Sequence, residues 1–158
     1  MLKVGRLADY GVLILHHLGR VRPVRLSMES IAEITHLPLP TVRKVMKYLV
    51  DAELVVSKRG PNGGYQLARP PEKVNLAEAI AAVEGTLALT ECCDAAGSCE
   101  IHDRCDLAGR WPGVNAIVMR VLERTSLADL DRFGRHELHI PPPLRELMGP
   151  APASSTRS

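Results

Sequence analysis

No stretch of this 158-residue sequence approaches the roughly 18–20 consecutive apolar residues needed to span a bilayer, although 46% of it is hydrophobic. The opening MLKVGRLADYG also lacks the continuous apolar stretch of a secretory signal, since Asp9 and two glycines interrupt it. Both absences point to a cytoplasmic chain with no membrane partner. The net charge is only +2, so bulk electrostatics do not announce a nucleic-acid ligand. There is no internal repeat, no phosphate-binding loop, no nucleophile beside a base, and no separate substrate domain. An enzyme acting on a small-molecule substrate is therefore not expected, and the length suits one domain with appendages.

Charge and cysteine are instead present in local concentration. Residues 41–69 hold six Lys/Arg against two Asp/Glu, whereas residues 70–110 hold three against eight. This asymmetry suggests one segment that meets phosphate and another with a different task. All four cysteines fall between Cys92 and Cys105. Thiols of a cytosolic chain are kept reduced, so such a cluster points to metal or redox chemistry rather than structural disulfides.

Apolar periodicity places a helix over residues 4–19, through Leu7, Gly11, Ile14, Leu15 and Leu18. Ser27 is the expected N-cap of a short helix to Thr35 that buries Ile31 and Ile34. His36-Leu37-Pro38 interrupts it, and a further helix runs to about Ala52. Leu54–Lys58 and Gly64–Ala68 read as two strands around the turn-forming Arg59-Gly60-Pro61-Asn62-Gly63. Asn75 caps a helix to Glu84 with Leu76, Ile80 and Val83 as its stripe, and residues 85–110 show no periodicity. From Trp111 to Arg124, Val114, Ile117, Val118, Val121 and Leu122 form a broad apolar stripe with little chain left to cover it, so a partner subunit is the natural cover. Ser126-x-x-Asp129 resembles a capping box opening a last short helix. Beyond about Phe133 the Pro- and Ser-rich composition reads as a disordered tail.

This order is mainly α with a small β-hairpin wing: a winged helix-turn-helix plus a long dimerisation helix. Residues 1–70 are the expected DNA-binding domain. Residues 71–110 are a linker helix and cysteine-rich loop, 111–132 the dimerisation helix and 133–158 the tail. At roughly 100° per residue, Arg43, Lys44 and Lys47 fall on one face of the second helix of the pair, with Val42, Val45, Met46 and Leu49 opposite. That helix is expected in the major groove, with Thr41 near its start offering a hydroxyl. Alone, three cations would read as a solvated face. The hairpin adds Lys58 and Arg59 beside Asn62, Gly63, Gly64 and Tyr65, where glycine lets backbone approach phosphate or the minor groove. A plain turn has no need of adjacent Lys-Arg, so helix and wing together favour double-stranded DNA.

Zinc sites favour tight C-x2-C pairs, and none exists here. Cys93-x5-Cys99-x5-Cys105 is evenly and widely spaced, suiting a loop around something larger than one ion, such as a thiolate-bound cluster. A zinc site of three cysteines with His102 remains open. So does a bare thiol switch, with vicinal Cys92-Cys93 or a Cys93–Cys99 disulfide.

With these features the chain resembles the IscR/NsrR-type winged-helix regulators of bacteria over residues 1 to about 132. The resemblance rests on Leu7-Ala8-Asp9-Tyr10-Gly11, on the wing from Arg59 to Pro70, and on the spaced cysteines. Leu89-Thr90-Glu91-Cys92, the Cys-x5-Cys ending at Cys105, and Arg110-Trp111 before a helix containing Asn115 are similar to the regulators of SUF iron–sulfur assembly. The resemblance implies a homodimer on a near-palindromic operator, with an iron–sulfur cluster, 2Fe–2S in preference to 4Fe–4S, whose occupancy alters DNA affinity. A coupling free energy between two sites is then required.

Two departures from the family pattern matter. A histidine of IscR-type proteins is replaced by Ala108, so the resemblance to NsrR-type members offers the partner's Asp9 as fourth ligand, with His102 and His36 in reserve. The doublet leaves the first ligand open between Cys92 and Cys93, with Cys99 and Cys105 completing the thiol set. Arg43 stands where IscR-type recognition helices carry an acid. The implied activity is a repressor of its own assembly genes. A nitric-oxide or redox-sensing repressor of detoxification genes, or a cluster-free thiol switch, is the alternative on the same scaffold.

Overall fold

The computed structural model describes residues 4–85, 87–90, 93 and 99–133, with the side chain of His102 left aside. Helix α1 (Arg6–Val21) buries Ala8, Gly11, Ile14, Leu15 and Leu18, the expected stripe, but starts and ends about two residues later than periodicity implies. Helix ends carry weak local information.

Helix α2 (Met28–Thr35) begins where Ser27 Oγ accepts the Ser30 N–H at 3.1 Å. It stops at His36, which takes the left-handed conformation with φ 55°. Ile31 is fully buried as expected, but Ile34 is 37% exposed. Thr35 lies about 40° from Ile31 around the helix, takes the second buried place, and donates its hydroxyl to the Ile31 carbonyl at 2.6 Å. So short a helix, packed by one side, hides only a narrow stripe.

Helix α3 (Leu39–Asp51) comes next, with Pro38 at its N-cap and Pro40 in the first turn, where no backbone N–H is needed. Strands β1 (Val55–Lys58) and β2 (Gly64–Leu67) pair antiparallel, with Val55 opposite Leu67 and Lys58 opposite Gly64. Leu26 adds a bridge on the other side of β2: its N–H donates to the Tyr65 carbonyl at 3.0 Å, and the Tyr65 N–H donates back at 2.8 Å. That bridge fastens the hairpin to the segment between α1 and α2.

Helix α4 (Leu76–Glu84) starts where Asn75 Oδ1 accepts the Glu78 N–H at 2.9 Å. Ile80 is buried and Leu76 and Val83 pack on the core from its edge. Helix α5 (Trp111–Arg124) has the bounds its periodicity implies, yet it buries none of its residues. After it the chain returns. Leu76 donates its N–H to the Thr125 carbonyl and Leu127 donates to the Val74 carbonyl, both at 2.9 Å. The capping box forms, with Ser126 N–H on Asp129 Oδ2 at 2.9 Å, and opens a 3-10 turn over Leu127–Asp131 rather than an α-helix. Leu127 is buried in the same core as Ile14, Met46, Leu67 and Ala79. One core thus joins α1, α3, the wing, α4 and the returning turn, at roughly 25 cal/mol per Å² of apolar surface buried.

The architecture is a winged helix-turn-helix with a long helix beyond it. Among the described residues no helix is long and apolar enough to cross a membrane.

Candidate nucleic-acid interface and cysteine segment

The face of α3 that misses the core is cationic. Val42, Val45, Met46 and Leu49 are fully buried, which leaves Arg43, Lys44 and Lys47 exposed, with Thr41 half-buried near the helix start. Among the described residues none of these three cations forms an ion pair. The α2–α3 turn is held by His36, whose N–H donates to the Glu33 carbonyl. A cationic face backed by a buried one, set after a tight turn, is the arrangement that a major-groove helix requires.

The wing repeats the pattern at smaller scale. Lys58, Arg59 and Asn62 are exposed at the hairpin end. The Gly63 N–H donates to the Gly60 carbonyl at 2.8 Å, and a Cβ on Gly63 would stand 2.4 Å from the Lys58 carbonyl oxygen. Gly64 has φ +126°, and a Cβ there would meet the Leu26 carbonyl oxygen at 2.8 Å. Both glycines therefore let three backbone segments close upon one another. Tyr65 is half-buried against the core, so its side chain braces the wing from behind while its backbone carries the Leu26 bridge. Arg69, the last cation of the basic segment, is paired with Glu78 of α4, and Asn75 Nδ2 also donates to that carboxylate at 2.7 Å. It stabilises the wing exit and is not offered to a ligand.

The cysteine segment is built differently. Cys93, Cys99 and Cys105 are half-buried and in no disulfide among the described residues; Cys92 lies outside those residues. The Thr90 hydroxyl donates to Cys93 Sγ at 3.2 Å, and the Cys93 N–H donates to the Thr90 carbonyl at 2.9 Å. One residue earlier, the Leu89 N–H donates to Asn115 Oδ1 of α5 at 3.0 Å. The segment is thus tied to the long helix at its start. The positions of Thr90 and Asn115 were readable in the sequence as motif residues, but nothing local revealed their partners.

In donor chemistry this segment fits an iron–sulfur cluster: three soft thiols on irregular backbone, with a hydroxyl donor on one sulfur. Among the described residues no three His, Cys, Asp or Glu side chains converge closely enough to hold one metal ion. Asp9 is exposed in the first turn of α1, His36 caps α2 at the helix-turn-helix corner, and Ala108 is buried. The 3-10 turn His102–Arg104 lies between the last two thiols.

Comparison with known proteins bears on both halves. A family model described as Rrf2, iron-dependent transcriptional regulator, matches residues 5–132. The chain is 33% identical over 124 residues to the HTH-type transcriptional regulator NsrR of Oceanobacillus iheyensis, covering 77% of this chain and 84% of that one. It is 31% identical over 134 residues to the HTH-type transcriptional regulator IscR of Cereibacter sphaeroides, covering 82% and 86%. Among solved structures, CymR, the global cysteine regulator of B. subtilis, superposes with a TM-score of 0.67 at 28% identity, over 85% of this chain and all of that one.

Proposed function

The chain belongs to the Rrf2 family of transcriptional regulators, and we propose that within it the protein is a homodimeric repressor whose hold on DNA is set by an iron–sulfur cluster. In this reading residues 1–70 read a near-palindromic double-stranded operator, 71–110 carry the sensor and 111–132 join two copies. Arg43, Lys44 and Lys47, with Thr41, enter the major groove, while Lys58, Arg59, Asn62 and the wing glycines meet the adjacent backbone or minor groove. Tyr65 positions the wing. Cys99, Cys105 and one of Cys92 and Cys93 hold a 2Fe–2S cluster, with the partner subunit's Asp9 as fourth ligand. When bound, such a cluster supplies an occupancy that tracks iron–sulfur supply and oxidant load. The genes controlled are those of SUF-type cluster assembly.

The observation that carries this reading is the tie between sensor and dimer helix: Asn115 holds Leu89, and the adjacent Thr90 holds the Cys93 sulfur. A change at the thiols can therefore bear on α5, and through α5 on the spacing of two DNA-reading helices, which is the coupling that regulation needs. The test is anaerobic reconstitution, then visible spectroscopy and promoter binding. The expected result is a brown protein, bleached by air, whose holo and apo forms differ at least about tenfold in affinity, within the usual range of coupling energies. A colourless protein after reconstitution removes the cluster, and equal affinities remove sensing.

A second reading is supported by the described thiols, Cys93, Cys99 and Cys105, which are half-buried and in no disulfide among the described residues: a cluster-free thiol switch would use the same segment. Peroxide treatment of the apo protein, with promoter binding as the readout, separates the two. Nitric-oxide titration of the holo protein tests the related reading in which detoxification genes are controlled.

A further inference from the structure

Arg25 stands at the root of the wing, one residue before the Leu26–Tyr65 bridge and two before Ser27, the N-cap of α2. Leu26 packs on the core, so strand alternation sends Arg25 to the opposite face. The pairing register puts Lys58 and Gly64 on that outer face as well, since Val55 and Leu67 are the strand residues turned inward. The absent side chain of Gly64 makes the room: a Cβ built there would lie 3.2 Å from Arg25 Cβ. The arginine stem thus occupies the space the glycine leaves.

Its head group is short of partners. Among the described residues the Arg25 Nε–H is buried and finds no acceptor, and no carboxylate pairs with the guanidinium. Other arginines do better: Arg69 reaches Glu78, and Arg132 reaches Asp129 at 3.1 Å. A buried donor without an acceptor carries an uncompensated desolvation cost, and native structures rarely leave one so without a reason. A guanidinium whose stem is held in place, with its donors unspent, is suited to a phosphate, which accepts two parallel N–H bonds. Place and chemistry agree, because the first helix of a helix-turn-helix pair crosses the DNA backbone, and Arg25 sits between the start of that helix and Lys58 of the wing.

We infer that Arg25 is a DNA-phosphate anchor at the wing root, additional to the reading helix and the wing tip. It supplies affinity and fixes the wing's approach while carrying no base information. The inference rests on DNA binding by this scaffold and is independent of what the cysteines hold.

The test uses the full chain with its thiols reduced and a mixed-sequence duplex of about 30 base pairs, the length of two half-sites one helical turn apart with flanks. Affinity is measured by fluorescence anisotropy across a salt series. Arg25→Gln is expected to lower affinity about three- to tenfold at low salt and to reduce the slope of log K against log salt by about 0.9, the value for one phosphate contact. Arg25→Lys keeps the positive charge, so it is expected to retain the slope while recovering only part of the affinity. A merely structural arginine would alter the melting temperature and leave the slope unchanged. An unaltered slope in Arg25→Gln overturns the inference, as does a slope in Arg25→Lys as low as that of Arg25→Gln. If the wild-type chain fails to bind the duplex at all, the DNA-binding reading falls and takes this inference with it.

Discussion

Helices α3 and α5 are nearly equal in length, at 13 and 14 residues, yet α3 buries four side chains and α5 buries none. The apolar residues of α3 are spent within the chain, and its remaining face is cationic. In α5 the apolar residues are still on offer: Val114 is 45% exposed and Ile117 is 56% exposed. The same physics applied to both helices gives two outcomes, because α3 has α1, α2, α4 and the wing around it while, among the described residues, α5 packs mainly on α4. A helix whose apolar stripe is uncovered in one copy is incomplete until something else covers it. One unit has its apolar residues satisfied within a single chain; the other keeps an apolar stripe exposed, which in the proposed function a second copy covers.

The contrast can be broken most forcefully at α5. Ile117→Asp places a charge in the proposed dimer seam. It is expected to halve the mass in light scattering and to weaken binding to a two-half-site duplex by about 10²–10⁴, the avidity that a second linked site contributes. A dimer of unchanged mass would end the idea that this face joins two copies.

Next comes the core. Ile14→Ala removes a fully buried side chain and should cost about 2–5 kcal/mol in urea unfolding. The matching truncation Ile117→Ala, measured on dilute protein, should cost within about 0.5 kcal/mol, as for a surface site. Equal costs would show that α5 is as finished as α3.

A smaller effect belongs to the cationic face. Lys44→Ala is expected to weaken DNA binding several-fold and to reduce the salt slope by about one, with the melting temperature unchanged. A wild-type slope would remove Lys44 from the interface.

The smallest is a pH effect on α1. Burial holds His17 below its ordinary imidazole range, helped by the nearby charges of His16, Arg20 and His36. The folded state therefore favours neutral His17. The stability this contributes is complete above the ordinary value and is lost as pH falls through the lowered one. His17→Asn should flatten the fall in urea midpoint as pH drops from above the ordinary imidazole range to below it, and an unchanged profile would assign that fall to other groups.

Much of this molecule was legible because its signals are local. Ser27, Asn75 and Ser126 each cap a helical turn through a contact only three residues away, so the starts of α2, α4 and the last turn could be read directly. The wing was visible because its glycines and Pro61 sit between two short apolar runs. Ile34 misled because periodicity reports which residues share a face, not how wide a stripe the neighbour hides. Arg25 was illegible for a different reason. A lone arginine before a helix cap carries no signal until Leu26 is seen to pair with Tyr65, thirty-nine residues away by number.

The sequence by itself determined the helices, the caps, the hairpin and the segregation of cations from cysteines, since each depends on residues within a turn or two of one another. Only the tertiary structure decided which apolar stripes were satisfied, that Arg69 was taken by Glu78 while the Arg25 Nε–H found no acceptor among the described residues, and that Asn115 holds the start of the cysteine segment. Those outcomes depend on which distant segments meet. Burial and hydrogen bonding are relations between residues far apart in the chain, and no local pattern encodes them.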